Sequence, residues 1–181
     1  MENNQTPGEI KPGRRILTGM FPDRESTEQA YNTLQQRGYS NDEISMIMSD
    51  ETRKKHFGDD TTSEIGTKAA EGAGKGSAIG GALGAIAGVI AALGTSLLIP
   101  GLGVVIAGPI AAGLAGAGAG GVTGGIIGAL IGSGIPEERA KLYESGLKNG
   151  HVVLGVHPRN DEDVDYIESN WKENKAEEVN L

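Results

Sequence analysis

The feature that most constrains this chain is a long segment without charge. From Gly76 to Pro136 the sequence contains no Asp, Glu, Lys or Arg, and no aromatic residue or histidine. A helix without a polar face must bury its surface against protein or lipid. The chain therefore divides into a polar flank, an uncharged glycine-rich centre and a second polar flank.

The centre carries two runs of glycine at every fourth position. Such positions fall near one face of a helix, so each run leaves a groove where a second backbone can approach closely. Glycine costs about 1 kcal/mol per site relative to alanine in an exposed helix, so close packing must offset this cost. The runs predict a glycine-zipper helical hairpin over residues 69–134, with its turn at Pro100, Gly101 and Gly103. The zipper positions are Gly76, Gly80, Gly84, Gly88, Gly116, Gly120, Gly124, Gly128 and Gly132.

The hairpin has two open interpretations. Residues 78–99 are long enough to cross a bilayer, which takes about 20 residues. Lys68, Lys75, Arg139 and Lys141 flank the hairpin and its turn is uncharged, so both ends would stay cytoplasmic. The missing Trp and Tyr at the hairpin ends counts against a conventional two-span protein. The alternative is a soluble oligomer in which hairpins from several subunits bury one another.

The first flank predicts a strand, a helix and a second strand. Residues 15–21 form a short apolar run typical of a strand. A helix follows, with Asp23 or Ser26 as its N-cap and Gly38 placed to end it. Residues 43–49 alternate in hydrophobicity and predict the next strand.

The second flank repeats this pattern. Pro136 suits the first position of a helix, and Gly150 is placed to end that helix. Residues 151–157 are the clearest strand in the sequence. Asn160 or Asp161 then caps a further helix.

Neither flank has enough apolar surface to fold alone, so we expect them to form one domain. Together they predict an α+β, ferredoxin-like fold of two βαβ halves, with residues 176–181 as the closing strand. The glycine-rich hairpin is then an insertion between the halves. The predicted boundaries are a disordered tail (1–13), the first half (14–50), a linker (51–68), the hairpin (69–134) and the second half (135–181).

Composition excludes several classes of protein. The net charge of −8 argues against general nucleic-acid binding, which needs clustered Lys and Arg. Cysteine is absent, so disulfides and thiolate chemistry are excluded. The first residues have no apolar stretch after their charges and do not form a secretory signal. We therefore expect a cytoplasmic protein, either at the inner face of the cell membrane or in cytoplasmic assemblies.

The motifs of catalysis and cofactor binding are missing or out of context. Residues 116–121 fit a dinucleotide-binding fingerprint, but they follow no predicted strand and precede no suitably placed acidic residue. His56, His151 and His157 lack the spacing of metal ligands. We therefore predict no enzyme, no cofactor and no metal site.

Several stretches resemble the heat-induced general stress protein family, which is related to low-temperature-induced hydrophobic proteins of bacteria. They are "FPDRESTEQAYNTLQQRGYSNDEISMI", the glycine-rich centre and "GIPEERAKLYESGLKNGHVVLGV". The resemblance covers residues 15–167, and its most specific part is "IPEERAKLYESGLKNG". It implies a bacterial stress-response protein and supplies no catalytic residues.

The sequence as a whole predicts a non-enzymatic stress-response protein. Its glycine-zipper hairpin would associate with membrane lipid, self-assemble into a homo-oligomer, or do both. No nucleic acid and no small-molecule substrate are expected. Two alternatives stay open: a soluble self-assembling scaffold, and a small-molecule-sensing ferredoxin-like module.

Overall fold

The structure, a computed structural model, describes residues 16–57, 97–99, 103–116, 125–132 and 134–181 as an α+β protein. The strands are β1 (Leu17–Phe21), β2 (Ile44–Ser49), β3 (Leu97–Ile99), β4 (Val104–Ala107), β5 (Val152–Val156) and β6 (Glu177–Asn180). The helices are α1 (Arg24–Gln36), α2 (Asp50–Phe57), α3 (Pro109–Gly116), α4 (Gly125–Gly132), α5 (Glu137–Lys148) and α6 (Asp161–Glu173).

These strands form a single antiparallel sheet in the order β3-β4-β2-β5-β1-β6. β5 lies between β1 and β2, so that Leu154 pairs with Gly19 on one side and with Met46 on the other. β1 and β2 come from the first polar flank and β5 from the second. The two flanks therefore contribute to one sheet, and β6 pairs with β1 at its edge.

One face of the sheet is covered by α1 and α6, which meet at Trp171. The indole is fully buried, and a Cβ added to Gly19 would lie 2.7 Å from its Cε3 atom. Phe21 meets the indole edge-on, with ring centroids 5.6 Å apart. The indole Nε1 also lies 3.4 Å from the carbonyl oxygen of Ala30, to which it donates a hydrogen bond. Trp171 thus fixes α6 on both β1 and α1, and Gly19 gives the ring the room it needs.

The opposite face is covered by α3, α4 and α5. Tyr143 of α5 is fully buried there, and its hydroxyl lies 2.8 Å from Oγ1 of Thr18 on β1. The three helices and the sheet share one apolar cluster, which includes Ile47, Ile106, Ile110, Ile126, Leu130, Ala140, Tyr143, Leu147 and Val153. Both faces of β1, β2, β4 and β5 are therefore buried.

Three polar side chains, Arg37, Tyr39 and Asp163, join the end of α1 to the start of α6, and we call this group the polar clasp. Asp163 is only 4 % exposed, and its carboxylate accepts hydrogen bonds from Tyr39 Oη at 2.6 Å and Arg37 Nε at 2.7 Å. Burial alone would raise the pKa of Asp163, but these two donors outweigh it and hold the pKa below its usual range. Burial and the hydrogen bond to Asp163 raise the pKa of Tyr39 to about 12.

Local capping signals place the helix ends close to where the sequence predicts them. Asp23 caps α1 by accepting a hydrogen bond from the backbone N–H of Ser26 at 2.8 Å. Asn160 caps α6 in the same way, through the N–H of Asp163 at 2.7 Å. Gly38 follows α1 with a φ of +86°, a left-handed conformation that glycine adopts easily. Pro136 is the N-cap of α5 rather than its first residue, a difference of one position.

The prediction of a helical hairpin over residues 69–134 needs correction on both sides of its turn, where the described residues form strands. Gly103, the described residue of that turn, has a φ of +61° and leads into a strand, and β3 pairs with β4 across it. Pro100 and Gly101 lie outside the described residues. Two causes favour the strand: Val104, Val105 and Ile106 are β-branched, and β2 offers an unpaired edge that β4 occupies.

The described parts of the second half of the glycine-rich centre are thus built into the core. Ile110 and Ala111 of α3 and Ile126 and Leu130 of α4 are buried in the apolar cluster below the sheet. Removing residues 69–134 would remove β3, β4, α3 and α4, so the described part of that segment belongs to the fold. The predicted linker, 51–68, also begins as a helix, since α2 extends to Phe57.

Gly108 offers a direct test of this arrangement. It has a φ of +84°, and an added Cβ would lie 2.2 Å from the carbonyl oxygen of Ile44 in the neighbouring strand. We expect Gly108→Ala to lower the free energy of unfolding by about 2–5 kcal/mol, through left-handed strain and steric overlap. Gly103→Ala is the matched control, because Gly103 also has positive φ but has nothing within 4 Å of its added Cβ. It should cost about 1–2 kcal/mol. Urea unfolding measures both losses, and an equal loss of unfolding free energy in the two variants would contradict the packing of Gly108 against β2.

The clasp predicts an acid-sensitive contribution to stability. Because the folded-state pKa of Asp163 is lowered, its contribution is fully present above the unfolded value of about 4. It is lost as the pH falls through the lower folded value. We expect Asp163→Asn to cost about 2–3 kcal/mol at pH 7 and much less near pH 2. The control, Asp161→Asn, changes an exposed carboxylate in the same helical turn. If Asp163→Asn lowered the free energy of unfolding equally at both pH values, Asp163 would not act as an ionised hydrogen-bond acceptor in the clasp.

Candidate functional site

A cleft of about 340 Å³ opens at the end of the sheet where β1 and β2 finish and β5 begins. One wall is α2, and the other is the end of α5 with the turn that leads into β5. It is lined by Pro22, Asp23, Ser49, Glu51, Thr52, Lys55, His56, Lys148, Asn149 and Gly150. Most of these side chains are polar or charged, so the cleft suits a polar ligand.

The wall formed by α2 is fixed at both of its ends. At its start, Ser49 Oγ accepts a hydrogen bond from the N–H of Thr52 at 3.0 Å, and the N–H of Asp50 donates to the carbonyl oxygen of Gly103 at 2.7 Å. At its end, Arg24 Nη1 donates to the carbonyl oxygen of His56 at 2.6 Å. The sequence forms a helix here because Ser49 supplies the cap and Asp50 and Glu51 occupy the positive end.

The opposite wall comes from the end of α5. Gly150 ends this helix with a φ of +92°, and the N–H of His151 bonds back to the carbonyl oxygen of Gly146 at 3.0 Å. A Cβ added to Gly150 would lie 3.7 Å from Oγ1 of Thr52, so the two walls approach each other there. Thr52 is only 3 % exposed, and its hydroxyl lies 2.7 Å from that of Ser49. These two hydroxyls form the floor.

Charges of both signs line the cleft. Lys55 and Lys148 are exposed, and Lys148 Nζ lies 3.3 Å from Oε1 of Glu144 on its own helix. Asp23 is half exposed and its pKa is lowered, first by the hydrogen bond from the N–H of Ser26 and further by Lys175. Glu51 is exposed in the first turn of α2. The lysines and acids come from α2, from α5 and from the turn before α1, three parts of the chain that only the fold brings together.

The three histidines are placed apart. His56 lines the cleft, whereas His151 and His157 flank β5 at its two ends. Nδ1 of His151 is buried without a hydrogen bond, 3.9 Å from Oε2 of Glu177. In the part of the chain that the structure describes, no group of three or more His, Asp or Glu residues is arranged to hold a metal ion.

The zipper positions fall largely outside the described residues. Gly76, Gly80, Gly84, Gly88, Gly120 and Gly124 lie there. Gly116 ends α3, while Gly128 and Gly132 belong to α4. Within α4 the buried positions are Ile126 and Leu130, whereas Gly128 is half buried and Gly132 is exposed. In this helix the described chain packs through its aliphatic side chains and leaves the glycine positions partly open.

α4 therefore presents an uncharged outer surface. Gly128, Ile131 and Gly132 contribute to it, and the side chain of Ile131 is 42 % exposed. Leu142 on the neighbouring α5 is also exposed. No helix in the described ranges combines the length and apolar character that a bilayer crossing requires.

The cleft was not predicted from the sequence. The cap formed by Ser49 and Thr52 was a usable local signal for α2, but the pairing of that helix with the end of α5 depends on the strand order.

No family model matches the sequence, and the curated proteins and solved structures contain no match either. The resemblance to the general stress protein family stays a prediction.

The floor of the cleft can be tested through the cap of α2. Ser49→Ala removes the acceptor for the N–H of Thr52 and should lower the free energy of unfolding by about 1 kcal/mol. Amide exchange should accelerate in residues 50–57 more than in β5. Ser145→Ala is the control, because Ser145 is exposed on α5. Uniform exchange in both variants would count against the capping role of Ser49.

Proposed function

We propose that this protein is a non-enzymatic stress-response protein whose glycine-rich centre mediates association with membrane lipid and with other copies of the chain. The domain that carries the centre is assigned to the ferredoxin-like class. Two lines of support are independent of each other: the strand order of the sheet and the surface chemistry of α4.

The strand order supports the ferredoxin-like assignment. β1, α1 and β2 make one strand–helix–strand unit, and β5, α6 and β6 make another. In the sheet these four strands follow the order β6-β1-β5-β2, which places the first and third strands at the centre. β3 and β4 extend the sheet beyond β2, while α3, α4 and α5 cover the face opposite α1 and α6.

The observation that carries the association is the outer surface of α4. Its eight residues contain no charged or polar side chain, and Ile131 is 42 % exposed beside Gly132. Exposed apolar surface that continues an uncharged segment marks a place for protein or lipid contact. The glycines let a second helix approach closely. The chain from 76 to 136 adds no charge that would oppose burial.

Liposome flotation of the full chain, with light scattering on lipid-free samples, tests this proposal. Ile131→Lys places a charge on the outer surface of α4 and should reduce both vesicle binding and particle size at least several-fold. Gly84→Leu tests the first glycine run in the same assays. Gln29→Lys adds the same charge to an exposed position of α1 on the other side of the sheet and should leave both readouts unchanged.

The outcomes separate the alternatives. Flotation that Ile131→Lys abolishes supports contact with lipid. Large lipid-free particles that the same variant dissociates, without flotation, support the soluble scaffold. A wild-type chain that stays monomeric and does not float would overturn the proposal. An equal loss of vesicle binding or particle size in Gln29→Lys and Ile131→Lys would overturn it as well.

A further inference from the structure

We propose that the cleft between α2 and the end of α5 binds a small phosphorylated polyol, with Lys55 and Lys148 holding its phosphate group. This site lies on the folded domain and is separate from the outer surface of α4. It therefore adds a small-molecule binding activity to the association proposed above, and the two can fail independently.

The size of the cleft sets the size of the ligand. Small-molecule sites typically begin at about 300 Å³, and this cleft has about 340 Å³. It therefore suits a phosphate group with a short organic chain. The fixed ends of α2 and the approach of Gly150 to Thr52 give the cleft a formed floor before any ligand enters.

The cations of the cleft favour a phosphate. Lys55 comes from α2 and Lys148 from α5, so they reach the cleft from its two walls. Within the described ranges Lys55 forms no ion pair. Lys148 is exposed and contacts Glu144 four residues earlier on the same helix, and helix-surface pairs of this kind contribute little. Both ammonium groups are thus available to an anion. Lysine binds phosphate as a flexible point charge, and two lysines match its charge at neutral pH.

Backbone N–H groups at the start of α2 are already engaged within the protein. The N–H of Asp50 is bonded to Gly103, and the N–H of Thr52 is bonded to Ser49. Two of the amides at the start of α2 are thus already paired, and the charges of the cleft come from its side chains. One of the hydroxyls of Ser49 and Thr52 donates to the other, which leaves a single hydroxyl hydrogen for a phosphate oxygen.

The carboxylates of the cleft define the rest of the ligand. Asp23 stays ionised because the N–H of Ser26 and Lys175 hold its pKa low. Asp23 and Glu51 would repel a phosphate placed beside them, but they accept hydrogen bonds from hydroxyl groups. A polyol bearing one phosphate satisfies both sets of charges, whereas inorganic phosphate satisfies only the lysines.

Isothermal titration of the full chain with glycerol 3-phosphate, inorganic phosphate and glycerol tests the proposal. The phosphorylated polyol should bind saturably and more tightly than either of the other two compounds. The double variant Lys55→Gln/Lys148→Gln should weaken its binding at least tenfold. The matched control is Lys54→Gln/Lys141→Gln, which removes one lysine from each of the same two helices outside the cleft.

Three results would overturn the proposal: no saturable binding of glycerol 3-phosphate by the wild-type chain, equal binding of inorganic phosphate, or equal weakening in the control double variant. Thermal unfolding without ligand verifies that both double variants fold. Because the substituted lysines are exposed, their melting temperatures should stay within a few degrees of wild type. Vesicle binding should be unchanged by the cleft variants, so failure here leaves the association proposal intact.

Discussion

The pairing of β5 with both β1 and β2 is the interaction on which the rest of the structure depends. Leu154 lies between Gly19 and Met46, so this strand of the second flank closes the sheet begun by the first. Val152, Leu154 and Val156 face the cluster around Trp171, and Val153 faces the cluster around Tyr143. Without this strand neither helical layer has a surface to cover, and the walls of the cleft would not meet.

The described part of the uncharged centre completes the core within this frame, and we propose that it also mediates association. Its β-branched stretch extends the sheet at β4, and the aliphatic side chains of α3 and α4 bury against the face that α1 and α6 leave open. The glycines of α4 remain toward the outside of this layer. A segment without charge is thus suited both to complete the core and to offer an apolar surface for association, and the position of each side chain on its helix separates the two roles.

The elements of the flanks follow from local signals and could be predicted. Asp23, Gly38 and Asn160 act through hydrogen bonds or backbone angles within a few residues of themselves. β4 could not be predicted by the same means, because its strand form depends on the free edge of β2, which is distant in the sequence. Glycines at every fourth position predicted helices throughout the centre. The β-branched residues Val104, Val105 and Ile106, which lie between the two glycine runs, were therefore not predicted to form a strand. The cleft was missed for a similar reason, since Lys55 and Lys148 meet only after the sheet has formed.

The decisive measurement is hydrogen–deuterium exchange of the full chain, at low concentration with and without anionic vesicles and at high concentration without them. We expect Val104–Ala107 to exchange as slowly as β5 under every condition, because β4 is a strand of the core. We expect Gly125–Gly132 to exchange more slowly with vesicles or at high concentration, when the outer surface of α4 is covered. Rapid exchange of β4 would contradict its place in the core, and an α4 that exchanges at the same rate under all conditions would contradict the proposed association.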